Sequence, residues 1–145
     1  MIEYRDATPA DADALDAFAH AIWIETFGHA SPPADVAAYC ATAFGIEGRL
    51  RRDLTAGTAQ FRVACRAGAV VGYAKLNPPW LPNADADAMQ LSQLYVATDL
   101  HGAGVGAALM NWAIATARRC KATTLLLTVW EENGRALAFY ARLGI

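Results

Sequence analysis

The sequence predicts one mixed α/β domain in which antiparallel strands come first, a parallel strand-helix-strand unit comes last, and helices flank the sheet. Three observations carry this expectation. Two alternating apolar stretches, Phe61–Cys65 and Val70–Leu76, sit either side of Ala67-Gly68, the pattern of a hairpin. Apolar residues recur at three and four positions through Leu15, Phe18, Ala19, Ile22 and Trp23, and again through Val105, Leu109, Trp112 and Thr116, which marks two helices with one buried stripe each. Between Met89 and Trp130 a strand, a glycine-rich turn, a helix and a second strand follow one another at the length of a parallel crossover.

In chain order, Ile2–Arg5 reads as a short strand. Thr8-Pro9-Ala10-Asp11 opens a helix, since threonine caps, proline suits the first helical position and an acid favours the positive helix end. That helix runs to about Phe27 and stops at Gly28. After the turn Ser31-Pro32-Pro33, two short helices are expected over Asp35–Phe44 and Glu47–Leu54, punctuated by Gly45 and Gly57. The hairpin follows. Asn77–Ala88 holds three prolines, each lacking the ladder donor, and is expected as a loop. Met89–Val96, a helix over Gly104–Cys120, a strand over Thr124–Trp130 and a helix from Gly134 complete the chain.

At 145 residues the chain has the length of one domain rather than two, and residues 1–145 are read as a single unit. No window offers about 18 uninterrupted apolar residues, and Glu3, Arg5 and Asp6 break any signal-peptide core, so a soluble, cytoplasmic protein that does not enter the membrane is expected. Twelve Lys and Arg are matched by 14 Asp and Glu without a basic block, which points away from nucleic acid. Cys40, Cys65 and Cys120 form neither a disulfide framework nor a zinc site and are expected as small core residues. No His, Cys or carboxylate spacing fits a metal template.

The segment from Leu94 to Leu109 is the most informative: a strand ends, Gly102, Gly104 and Gly106 alternate, and a helix begins. Free N–H groups at a helix start, with the positive dipole end behind them, bind phosphate without a cationic side chain. A nucleotide-hydrolysing loop is excluded because no Lys-Ser or Lys-Thr pair follows the glycines. A dinucleotide fingerprint is formally met by Gly102, Gly104 and Ala107 with Glu131 ending the next strand. Only one further strand follows, however, too few for a doubly wound sheet.

Gln90-Leu91-Ser92-Gln93-Leu94-Tyr95-Val96, His101-Gly102-Ala103-Gly104-Val105-Gly106, Val129-Trp130-Glu131-Glu132-Asn133, and then Ala136, Phe139-Tyr140 and Leu143-Gly144-Ile145 together resemble the GCN5-related N-acetyltransferases. Trp23-Ile24-Glu25-Thr26-Phe27, Tyr39, Tyr73-Ala74-Lys75-Leu76-Asn77 and Trp130-Glu131 further resemble the small bacterial enzymes of that family that acetylate polyamines. The resemblance implies the GNAT fold, with the parallel pair splayed around acetyl-CoA as co-substrate, and transfer of its acetyl group to a primary amine by direct attack in a ternary complex. Three departures stand out. The loop opens with His101 where the family has Gln or Arg; Gln90 replaces a strand carboxylate, and an amide is no general base; and the two strands that usually follow the Leu-Gly-aromatic position are not in the sequence. Either those strands are not represented, or the second parallel strand borrows a neighbour from another copy in a homodimer.

The resemblance implies that the backbone of Leu94, Tyr95 and Val96 holds the oxyanion and the pantetheine amides, and that residues His101, Gly102, Ala103, Gly104, Val105 and Gly106 hold the pyrophosphate. Tyr140 is the expected acid for the leaving thiolate, because a phenol titrates near 10 and so still carries its proton at neutral pH when the sulfur departs. Asn133 either bridges cofactor and helix or caps the helix. Glu131 and Glu25 are the candidate bases, direct or through water; His20, His29 and His101 have suitable intrinsic pKa values but no partner visible in sequence. Trp23, Tyr39, Trp80 and Trp130 line the acceptor pocket or belong to the core. The non-enzyme alternative is an acyl-CoA-binding sensor or regulator that retains the loop without turnover.

Overall fold

The computed structural model of the protein describes residues 1–79, 87–127 and 134–142. Strand β1 (Ile2–Asp6) leads through a 3-10 turn over Pro9–Asp11 into α1 (Ala12–Phe27). Helices α2 (Pro33–Ala43) and α3 (Arg49–Ala56), strands β2 (Gln60–Arg66), β3 (Ala69–Asn77) and β4 (Ala88–Val96), a second 3-10 turn over Thr98–Leu100, helix α4 (Val105–Arg119), strand β5 (Thr124–Leu127) and helix α5 (Gly134–Arg142) follow. The five described strands form one sheet in chain order. The first four are antiparallel neighbours, and β4 and β5 pair in parallel from Ala88 with Thr124 to Leu91 with Leu127. This is the expected α/β architecture, with antiparallel strands first and the parallel pair last.

Helices cover both faces. Leu15, Ala19, Ala43, Phe44, Leu50 and Leu54 of the α1–α3 region pack on Phe61, Val63 and Tyr73 on one face. On the other, Val105, Leu109, Met110 and Ala113 of α4 pack on Ala64, Ala74, Leu76 and Leu91. The helices are amphipathic, so each face of the sheet buries one apolar stripe.

Some element details differ from expectation. The first helix opens as a 3-10 turn, in which the Asp11 carboxylate accepts the Thr8 N–H at 2.8 Å and two hydrogen bonds from Arg5 at 2.7 and 2.8 Å. Helix α2 begins at Pro33, because proline takes the first helical position without losing a bond. Helix α3 begins only at Arg49, Gly48 being its extended N-cap. The buried stripe of α4 is Val105, Leu109, Ala113 and Thr116, while Trp112 lies half-buried on its flank. Cys65 is buried and Cys40 half-buried, but Cys120, the C-cap residue of α4, is exposed.

Among the described residues, ion pairs tie α3 to α1 and to the sheet. On α1, Asp16 is buried, accepts the Gly45 N–H at 3.1 Å and receives the Arg51 guanidinium at 3.4 Å. The Lys75 ammonium of β3, 9% exposed in its side chain, meets Asp53 of α3 at 2.6 Å. No described helix is long and apolar enough to cross a membrane, and no group of three or more metal-ligating side chains occurs among the described residues.

Candidate functional site

The C-terminal end of strand β4 forms one wall of the site. The last described pair with β5 is Leu91 with Leu127, yet β4 continues to Val96 against β3 on its other edge. On the way it carries an extra residue: Lys75 pairs with Gln93 and Leu76 with Leu91, which leaves Ser92 as a bulge. The Ser92 hydroxyl donates to Asn77 Oδ1 at 2.6 Å and pins the bulge to β3. Beyond it, Leu94, Tyr95 and Val96 form one wall of a cavity of about 660 Å3, in the range of small-molecule sites.

The glycine loop forms the second wall. The Ala97 N–H donates to Val71 O at 2.8 Å, which fixes where the loop leaves the sheet. Gly102 and Gly104 both take left-handed backbone, with φ of +86° and +89°, and a Cβ built on either would meet no protein atom within 4 Å. The loop therefore needs glycine for its path, and the space above it is open to a ligand. Gly104 caps the 15-residue helix α4, whose first-turn N–H groups have no intrahelical acceptor and sit at its positive end. Such an arrangement fits a pyrophosphate. The His101 ring turns back, its Nε2–H donating to Val96 O at 3.0 Å, so this side chain ties the loop to the end of β4.

Gly106 has a different reason. A Cβ there would lie 3.1 Å from Cε1 and Cζ of Phe139, so the glycine lets α5 pack closely on the start of α4. Ala136, Phe139 and Tyr140, one face of α5, thereby complete the third wall. Tyr140 is half-buried with its ring edge-on to Phe139 at 5.2 Å, and burial pushes its phenol above the ordinary value, keeping it a proton donor. Burial also raises the Tyr95 phenol well above the ordinary value, with smaller contributions from Tyr39 and Tyr140. Arg142 supplies the one Lys or Arg among the described lining residues.

Helix α1 closes the fourth side through Ile22, Glu25 and Thr26. Glu25 is exposed, and its carboxylate accepts the hydroxyl proton of Thr98 from the turn between β4 and the loop. The structure thus brings Glu25, Leu94, Tyr95, Val96, His101, Gly102, Gly104, Gly106 and Tyr140 to one cavity. Trp23 and Tyr39 are placed elsewhere: their rings stack at 4.4 Å and 14°, and both pack on the α1–α3 core, outside the described cavity wall. Trp80, Trp130, Glu131 and Asn133 lie outside the described residues. Thr98, Arg142, Ile22 and Thr26 were not anticipated. Ile22 stands three and four positions before Glu25 and Thr26, the spacings of a shared helical face, whereas nothing in the sequence links Thr98 to a residue 73 positions away.

Against known proteins, the sequence model of the acetyltransferase (GNAT) family matches residues 17–145. An uncharacterized N-acetyltransferase of Mycobacterium tuberculosis is 36% identical over 137 residues, which is 92% of this chain and 82% of the relative. Another, from Lactobacillus delbrueckii, is 28% identical over 123 residues, 83% of this chain and 70% of the relative. Among solved structures, a PaiA N-acetyltransferase of Thermoplasma acidophilum in complex with coenzyme A superposes with a TM-score of 0.83 at 17% identity, covering 99% of this chain and 88% of that one. A GCN5-related N-acetyltransferase of Ralstonia eutropha superposes with a TM-score of 0.77 at 22% identity, covering 100% and 92%. These likenesses show the same fold.

Proposed function

This chain belongs to the GNAT family of acetyltransferases and is an N-acetyltransferase with acetyl-CoA as its co-substrate; we propose that its acceptor is a small primary amine such as a polyamine, held in the cavity between α1 and the end of β4. The observation that carries the reading is the convergence, in one cavity, of a phosphate-type loop, a strand end, a protonated phenol and a carboxylate from four separate segments. We read residues 1–145 as one N-acetyltransferase domain working in the cytoplasm on a small molecule rather than on nucleic acid.

Acetyl-CoA supplies the acetyl thioester. The backbone from His101 to Gly106 holds the pyrophosphate against the positive end of α4. The N–H groups of Leu94, Tyr95 and Val96 hold the pantetheine amides and the carbonyl oxygen where negative charge develops. Tyr140, which burial keeps protonated, donates its phenolic proton to the departing sulfur as the C–S bond breaks. Glu25 attracts the acceptor as an ammonium group and takes its proton, directly or through water; Glu131, outside the described residues, is the other carboxylate proposed for that role. Support for a cationic acceptor comes from Glu25 in the wall, a net charge of −2, and the resemblance of Trp23–Phe27, Tyr39 and Tyr73–Asn77 to polyamine-acetylating enzymes.

The test is thiol release from acetyl-CoA in the presence of spermidine, putrescine, simple monoamines, a peptide lysine and a peptide N-terminus. Acetylation of the small amines is expected. Acetylation of peptides alone removes this substrate class, and binding of acetyl-CoA without turnover of any amine favours a sensor of acyl-CoA instead.

A further inference from the structure

We infer that Thr98 is a positioning residue for the acceptor: its hydroxyl holds the Glu25 carboxylate in the one orientation that receives an ammonium group. The inference rests on the reading of Glu25 as the acceptor's partner. Thr98 donates its hydroxyl proton to Oε1 of Glu25, and both side chains line the cavity. Glutamate has three side-chain torsions, and an exposed one otherwise spreads over many rotamers. With one oxygen held, the second is left for a ligand.

The hydroxyl is itself held by a rigid frame. Thr98 starts the 3-10 turn, in which His101 N–H donates to Thr98 O at 3.3 Å and Leu100 N–H donates to Ala97 O at 2.9 Å, directly after the Ala97 bond to β3. The contact thus references a carboxylate on α1 to the strand end and loop that hold the acetyl donor. Position matters there, because displacement of about 1 Å between reacting groups can cost on the order of 100-fold in rate. Glu25 is also the one carboxylate among the described lining residues, against the positive Arg142, so a cationic acceptor depends on where that charge points. Both side chains are exposed, so the bond adds little to folding stability, and its loss is legible in function rather than in unfolding.

Thr98→Val removes the donor at constant shape, and Thr98→Ser keeps it. With spermidine as acceptor, Thr98→Val should raise KM about tenfold, the scale of one hydrogen bond to a charged group. The calorimetric Kd of acetyl-CoA and the Tm should stay unchanged, and Thr98→Ser should recover the wild-type KM. In a Glu25→Ala background, Thr98→Val should have no further effect. An unchanged KM in Thr98→Val, an equal effect with and without Glu25, or a parallel loss of acetyl-CoA affinity overturns the assignment while leaving the amine acetyltransferase reading intact. A wild-type protein that acetylates no amine in the panel overturns both.

Discussion

Replacing Gly104 by alanine separates the two reasons a glycine can stand in a loop, and Gly57 provides the control. Both residues are left-handed, with φ of +89° and +71°, and a Cβ at either meets no protein atom within 4 Å, so neither substitution creates a clash inside the protein. Each therefore costs backbone strain, about 1–2 kcal/mol for a left-handed L-residue. About 0.4–1 kcal/mol is recovered because alanine narrows the unfolded ensemble. The net loss is about 1 kcal/mol, or about 2–4 °C in Tm for a chain of this size. The two sites differ in what lies above them: Gly57 ends α3 away from the cavity, whereas Gly104 lines it. Calorimetric titration with acetyl-CoA should show at least about a tenfold rise in Kd for Gly104→Ala, about 1.4 kcal/mol, and none for Gly57→Ala. Valine at 104, branched at Cβ, should exceed both effects. Equal acetyl-CoA affinity in folded Gly104→Ala and Gly57→Ala proteins would refute the assignment of this loop to the pyrophosphate.

Tyr140→Phe should keep the Kd of acetyl-CoA and lower turnover roughly 100-fold, measured where chemistry limits the rate. Because burial raises the phenol, the alkaline loss of kcat assigned to Tyr140 should fall above pH 10, the ordinary tyrosine value, and a limb below it would point to another group. Asp53→Ala leaves the Lys75 ammonium buried without its partner. A buried pair broken on one side costs about 3–5 kcal/mol, and the partial exposure of Asp53 brings the expectation to about 2–3 kcal/mol in urea unfolding, which Lys75→Met in the same background should largely restore. The two hydrogen bonds from Arg5 hold the Asp11 carboxyl down at about 2, against an ordinary 3.8. That stabilisation is present above pH 3.8 and lost as pH falls through about 2, so the Tm difference between wild type and Arg5→Ala should be full at neutral pH and vanish only below about pH 2.

The order of elements was legible in the sequence because local chemistry writes it. The Ala67-Gly68 turn between alternating strands, proline at the start of two helices and the three- and four-residue stripes of α1 and α4 each depend on neighbours a few positions away. The glycine loop was legible for the same reason: left-handed backbone at Gly102 and Gly104 is a local requirement. Harder to read were residues whose reason is a distant contact. Gly106 looks like a third loop glycine, but its missing Cβ makes room for Phe139, 33 positions on. Trp23 and Tyr39 have the composition of an amine pocket, yet each is the other's stacking partner on the core, because α1 and α2 fold together there.

The sequence by itself therefore determined the α/β class, the segment where a helix N-terminus meets glycine, and the family's pattern of aromatic and amide residues around it. Only the tertiary structure decided which side chains share a cavity. Glu25 and Thr98, separated by 73 positions, meet because α1 crosses the end of β4, and Tyr140 joins them because Phe139 seats α5 on Gly106. Side-chain chemistry and backbone preference are properties of short segments, whereas proximity between segments is set by packing the whole sheet between its helices, a sum over the chain that no single motif contains.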